Sequence, residues 1–136
     1  MGPERSYEEL CSDECTALLA EGRVGRVAGI VDNQPFIFPV NYTLEDDTVV
    51  FRTEPGKKLE GAGFGRVAFE IDGVDEANRT GWSVIVQGVA IEITHALDSY
   101  SESLRDLKLE PWVPGDKGHW VAIQADSVTG RRLSES

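Results

Sequence analysis

From Val24 onward the apolar residues come in short β-branched runs separated by turn residues, the texture of strands in a meander. Val24, Val27, Ile30 and Val31 lead into Asp32-Asn33, and Pro35 to Thr43 form the returning strand of a hairpin. Glu45-Asp46-Asp47 supplies the next turn, and Thr48 to Thr53 a third strand that runs into Glu54-Pro55-Gly56. Lys57 to Gly63 has room only for a short helix, closed by Gly61, Gly63 and Gly65, before Val67, Phe69 and Ile71 alternate with polar or small neighbours as a half-buried strand. From Gly81 to Thr94, Trp82, Val84 and Val86 alternate with Ser83, Ile85 and Gln87 along a long strand in which Gly88 predicts a bulge. Trp120 to Ser127 reads as the last strand.

Helical signals flank this core. Ser6 with Glu9, and Ser12 with Asp13 and Glu14, are capping signals, and Leu10, Cys15, Leu18 and Leu19 make an apolar stripe, so the pattern predicts a helix over 7–21 ending near Gly22. Asp98 or Ser99 caps a second helical segment over 98–108, and Pro111 to Gly118 is a loop. Repeats, low-complexity tracts and linkers are missing, so residues 1–136 read as one domain. About six strands with short turns and two small helices predict a mainly β protein with flanking helices, built as a small closed or partly closed barrel.

Charge changes the picture by exclusion. The chain carries 13 Lys+Arg against 24 Asp+Glu, a net −11, which repels nucleic-acid phosphates and acidic membrane surfaces. Its longest apolar stretch, around Phe36 to Val40, is far short of a bilayer span, and no basic region followed by a signal core opens the chain, so a soluble cytoplasmic protein is expected. Cys11 and Cys15 share one helical face and cannot pair with each other, so they read as buried or partly buried structural thiols. His95 and His119 match no zinc spacing, and no metal is expected.

One segment runs against the acidic balance. Between Arg52 and Arg66, the cations Arg52, Lys57, Lys58 and Arg66 face only Glu54 and Glu60. A strand end with a hydroxyl at Thr53, a turn at Pro55-Gly56 and a helix start near Lys57 would together satisfy a phosphate; the alternative is a solvated loop whose lysines only keep an exposed strand end soluble. Dinucleotide and Walker-type glycine loops, a nucleophile elbow and a distinct carboxylate pair are all missing. Difficult chemistry would therefore come from a bound cofactor.

The order of the motifs carries a resemblance. Gly25-Arg26-Val27-Ala28, Pro39-Val40-Asn41-Tyr42, Phe51-Arg52-Thr53 with Pro55-Gly56-Lys57-Lys58-Leu59, Val67-Ala68-Phe69-Glu70-Ile71-Asp72 and Gly81-Trp82-Ser83-Val84 resemble, in sequence and spacing, the pyridoxamine 5′-phosphate oxidase-like family of flavin-binding split-barrel proteins. The resemblance implies a six-stranded split β-barrel and a homodimer with FMN in a groove at the subunit interface. It implies that Thr53, Lys57 and Lys58 hold the phosphate with Arg52 beside them, and that Pro39, Val40 and Asn41 line the isoalloxazine ring. It further implies that Ser83 and Gln87 reach the cofactor from the other subunit, and that Trp120 stands at the pocket edge. Asn41 is expected to donate at the ring edge, or else to satisfy local backbone at a strand end, and Trp82 and Trp112 are further aromatic candidates whose alternative is core or dimer-interface packing.

The functional expectation is an FMN-dependent oxidoreductase passing hydride or electrons between a nicotinamide donor and a small organic substrate. A reductase using the deazaflavin coenzyme and a non-catalytic flavin- or haem-binding module are the alternatives. Vitamin B6 oxidation is not expected, because the basic and histidine-bearing C-terminal region of the true oxidases has no counterpart beyond Arg131 and Arg132. That basic pair reads as solvated on a frayed end.

Overall fold

The computed structural model describes residues 4–54, 65–115 and 117–135. In chain order these residues form β1 (Arg5–Glu9), α1 (Ser12–Glu21), β2 (Val24–Val31), β3 (Gln34–Glu45), β4 (Thr48–Thr53), β5 (Gly65–Asp75), β6 (Thr80–Glu92), α2 (Ser99–Arg105) and β7 (His119–Glu135). Every strand pairing is antiparallel. The order β7-β4-β3-β2-β5-β6 returns to β7, so six strands form a ring and β1 adds to it from outside. The architecture is mainly β with flanking helices, as the alternation in the sequence predicts.

The β2–β3 hairpin turns at Asp32 and Asn33, which sit at φ 52° and 63°. Two consecutive left-handed residues match the twist of the flanking strands, and Asp and Asn tolerate that geometry better than other side chains. The register of β6 on β7 slips between Gln87 and Gly88, where the sequence predicts a bulge.

β7 is the strand that closes the ring. Its residues 119–124 pair with β4, while β6 runs beside it from Val121 to Leu133 and β1 takes residues 131–135. The strand therefore extends well past the expected Ser127. Periodicity hides this part because pairing with β6, joined from Arg131 by β1, holds it more than a regular apolar face does. Arg131 and Arg132, expected on a frayed end, instead lie within the ladder, with Arg131 3.3 Å from Glu9 and Arg132 3.0 Å from Glu14.

The predicted helix over 7–21 is shorter than expected. It begins at Ser12, where Cys11 is the N-cap and its N–H donates to Glu14 Oε1 at 3.4 Å. Residues 5–9 are exposed throughout and have no stripe to bury, so the free edge of β7 captures them as a strand. Cys11 is exposed and Cys15 is buried, both as free thiols. The segment expected over 98–108 is helical only from Ser99 to Arg105, because Asp106 and Leu107 turn their N–H groups to Ser103 and Leu104, three residues back. The short helix expected over 57–63 lies outside the described residues.

Two apolar clusters result. Val27, Val49, Phe51, Phe69, Val84, Val86, Val121 and Ile123 fill the ring. Val50, Ile93, Leu104 and Leu109, with Leu107 and Trp120 packed on them, form a second cluster. Both faces of β4 are thus covered, which explains the unbroken apolar run Val49-Val50-Phe51. The second cluster carries the chain between α2 and β7 across the molecule, and this strap forms one side of the site. No helix among the described residues is long and apolar enough to cross a membrane.

Candidate functional site

A cleft of about 350 Å³ opens between the strap and β2, β3 and β4. Val24, Phe38, Pro39, Val40, Asn41, Arg52 and Thr53 line it from the strands, and Pro111, Trp112, Val113 and Lys117 line it from the strap. That volume lies at the small end of ligand sites and suits a ring system. Two grooves of about 580 and 610 Å³ elsewhere on the ring are wider and more open to solvent.

Hydrogen bonds from the strands hold the strap in place. Arg52 donates from Nε to the Lys117 carbonyl and from a terminal nitrogen to the Leu109 carbonyl, both at 2.9 Å. Its guanidinium lies 5.0 Å from the ring centre of Trp120, its direct neighbour across the β4–β7 pair. Asn41 Oδ1 accepts the Trp112 N–H at 2.7 Å, and its amide nitrogen donates to the Arg23 carbonyl at 3.3 Å. Lys117 Nζ is 2.8 Å from Glu54 Oε1. So held, Trp112 keeps 69% and Val113 64% of its surface exposed at the cleft. Large apolar groups fixed in solvent mark a binding surface more often than an accident of packing.

The structure gathers Pro39, Val40, Asn41, Arg52 and Thr53 at this one cleft. It does not bring Ser83, Gln87 or Trp120 there within one chain. Ser83 lines one of the open grooves, Gln87 lines the other, and Trp120 packs in the second apolar cluster beneath Arg52. Lys57 and Lys58 lie outside the described residues. Arg52 and Asn41 are expected to touch the ligand, but Arg52 and the Asn41 oxygen spend these hydrogen bonds on the strap, and the Asn41 amide nitrogen spends its own on the Arg23 carbonyl.

Pro111, Trp112, Val113 and Lys117 are the cleft residues that the strand pattern leaves in a plain loop. Their signal in the sequence is an apolar pair, Trp112-Val113, set between Pro111 and Pro114 where a solvated loop would be polar. Below the cleft, Thr53 pairs with His119, whose Nδ1 is 2.8 Å from Glu92 Oε2. Glu92 also accepts from Thr94 Oγ1 at 2.9 Å, so its carboxylate ties the ends of β6 and β7 together. Among the described residues no group of three or more His, Cys, Asp or Glu side chains is placed to hold a metal ion.

Known proteins are similar to this chain in sequence and in fold. An uncharacterized protein of Mycobacterium tuberculosis is 36% identical over 135 residues, covering 95% of this chain and 87% of that protein. The structure of an FAD binding protein from Mycobacterium smegmatis superposes with a TM-score of 0.67 at 35% identity, covering 93% of this chain and 98% of that one. An FAD-binding protein from Mesorhizobium loti gives 0.71 at 28% identity over 93% and 97% of the two chains. The sequence model described as pyridoxamine 5′-phosphate oxidase matches residues 12–132. From α1 through most of β7, then, fold and sequence agree, and the chain belongs to the pyridoxamine 5′-phosphate oxidase-like family of flavin-binding split-barrel proteins.

Proposed function

We propose that this protein is a flavin-dependent oxidoreductase that binds FMN or FAD at the cleft between strap and barrel and acts as a homodimer on a small organic substrate. The observation that carries the reading is the cleft itself, with apolar walls from Phe38, Pro39, Val40, Trp112 and Val113 and a polar end at Thr53, Arg52 and Lys117. The Thr53 hydroxyl and the Lys117 ammonium, with the Arg52 charge behind them, fit a flavin, whose flat ring needs apolar faces and whose phosphate needs hydroxyls and cations. A bound flavin would supply the hydride and electron transfer. The walls would exclude water and orient the ring, and the strap ties from Arg52 and Asn41 would keep them in register. Lys57 and Lys58 follow Thr53 in the chain, and the proposal keeps them as further phosphate partners. Ser83 and Gln87 would reach the cofactor from a second copy.

Resemblance alone implies FMN, and the Mycobacterium smegmatis and Mesorhizobium loti proteins are described as binding FAD. The ring is common to both, and about 350 Å³ is too small for the whole of FAD, whose adenosine half would lie outside.

One observation favours a second reading, a non-catalytic flavin- or haem-binding module. Among the described residues lining the cleft there is no carboxylate, histidine, thiol or phenol, and Lys117 is the one side chain there of a type that serves as a general acid or base. A deazaflavin-dependent reductase would use the same apolar walls. Denaturing the purified protein and recording the spectrum and mass of the released molecule separates these readings. FMN or FAD supports the proposal, and a deazaflavin or haem mass replaces it. Bleaching by a reduced nicotinamide followed by reoxidation with an organic acceptor marks the enzyme, and a flavin that stays oxidised marks the module.

A further inference from the structure

Lys117 enters the cleft with its side chain only 16% exposed, 2.8 Å from a Glu54 carboxylate whose side chain is 51% exposed. A covered ammonium needs counter-charge, and Glu54 supplies it from the solvent side. Gly115, at φ +131°, allows the carboxylate to lie against the strap, because a Cβ there would come within 2.4 Å of Glu54 Oε1. Arg52 beside it is a structural tie, with N–H groups committed to two strap carbonyls. Lys117 differs. Among the described residues its side chain meets Glu54, and an ammonium has three donors to offer.

We propose that Lys117 is an anion-binding residue of the cleft and that Glu54 is its resting counter-ion, so that a phosphate or carboxylate group of the ligand takes the place of Glu54. The exchange replaces one charge-assisted contact with another. Half-exposed Glu54 returns to water, and a phosphate or carboxylate entering the cleft takes up the covered ammonium, which has three donors to offer. The inference names the charge of the cleft's ligand, and it rests on the flavin reading only where flavin is the probe.

The first arm of the test titrates inorganic phosphate and acetate into the purified protein and follows the amide resonances of Glu54 and Lys117. Lys117→Gln should weaken anion binding about tenfold, and Glu54→Gln, which removes the internal competitor, should strengthen it about threefold or more. Lys117→Arg should retain binding, because the cation is kept. If the ion pair served only to fasten the strap, Lys117→Gln and Glu54→Gln would shift affinity in the same direction, and that result overturns the proposal. So do wild-type amides that respond to neither anion. The second arm compares FMN with riboflavin by fluorescence quenching. Variants that move FMN affinity and leave riboflavin alone identify the anion as the flavin phosphate. Variants that move only acetate binding to flavin-loaded protein place the anion on the second ligand, and both results support the role of Lys117. A wild-type protein that binds no flavin overturns the flavin reading alone, since the first arm runs without it.

Discussion

Tyr42 is 3% exposed, and its hydroxyl donates to the Leu19 carbonyl at 2.6 Å, fastening the end of α1 to β3. Burial pushes its phenol up to about 12 from an ordinary 10. The unfolded chain therefore releases this proton near pH 10 while the folded protein keeps it until about pH 12, so folding stability present below pH 10 is lost as pH rises through that window. The loss attributable to this group is about 2–3 kcal/mol. Tyr42→Phe should cost about 1 kcal/mol at pH 7 through the lost hydrogen bond, and denaturant titrations from pH 9.5 to 12 should show a shallower alkaline decline than wild type. Equal declines would show that the phenol is not the group responsible. Roles at this scale were hard to read in advance. Arg52 stands in a basic segment and invites assignment to a phosphate, yet two of its N–H groups meet carbonyls 57 and 65 residues away in sequence. Asn41 is the same case, since its partner, the Trp112 N–H, belongs to a strap whose path no local pattern specifies.

At the scale of elements, the seating of α1 on β7 depends on a missing side chain. A Cβ at Gly130 would lie 2.6 Å from Cys15 Sγ and 3.1 Å from Leu10 Cδ1, and the Gly130 carbonyl accepts the Leu10 N–H at 2.9 Å. Gly130→Ala should therefore destabilise the protein by about 1–3 kcal/mol through overpacking. Adding Cys15→Ala should recover part of that loss, because the obstructing sulfur is gone, so the double variant should be more stable than the sum of the single effects allows. Chemical denaturation of the three variants checks this, and simple additivity would mean that α1 shifts without resistance. The elements themselves were largely legible: β2 to β6 follow from alternation and turn residues, and the bulge at Gly88 from a glycine inside a strand pattern. The ends were not. β1 and the last part of β7 hold each other by backbone pairing, with Ser6 Oγ 3.1 Å from Ser134 Oγ across 128 residues, a relation that hydrophobic periodicity cannot register.

For the whole molecule, the ring places Ser83 and Gln87 on grooves other than the cleft. If these residues serve a cofactor held in the cleft, a second copy must present them, and each complete site then combines a cleft from one chain with a groove from its partner. Exposed Ile30, 66% accessible, lines the same groove as Gln87, while Ile37, 68% accessible, lies across the hairpin on β3, so apolar surface is available for such a contact. Mixing subunits separates this arrangement from a site contained within one chain. Asn41→Ala loosens the cleft wall by freeing the Trp112 N–H, and Gln87→Ala removes the groove side chain, so each variant alone should bind flavin weakly. After denaturation and refolding together in equal amounts, half the dimers should be mixed, and each mixed dimer should hold one site with both defects and one with neither. About a quarter of all sites should then recover wild-type affinity in a fluorescence titration, provided the interface is isologous. Flavin affinity that stays weak at every mixing ratio, with each variant impaired alone, would assign Gln87 to a site within its own chain and would remove the shared site from the proposal.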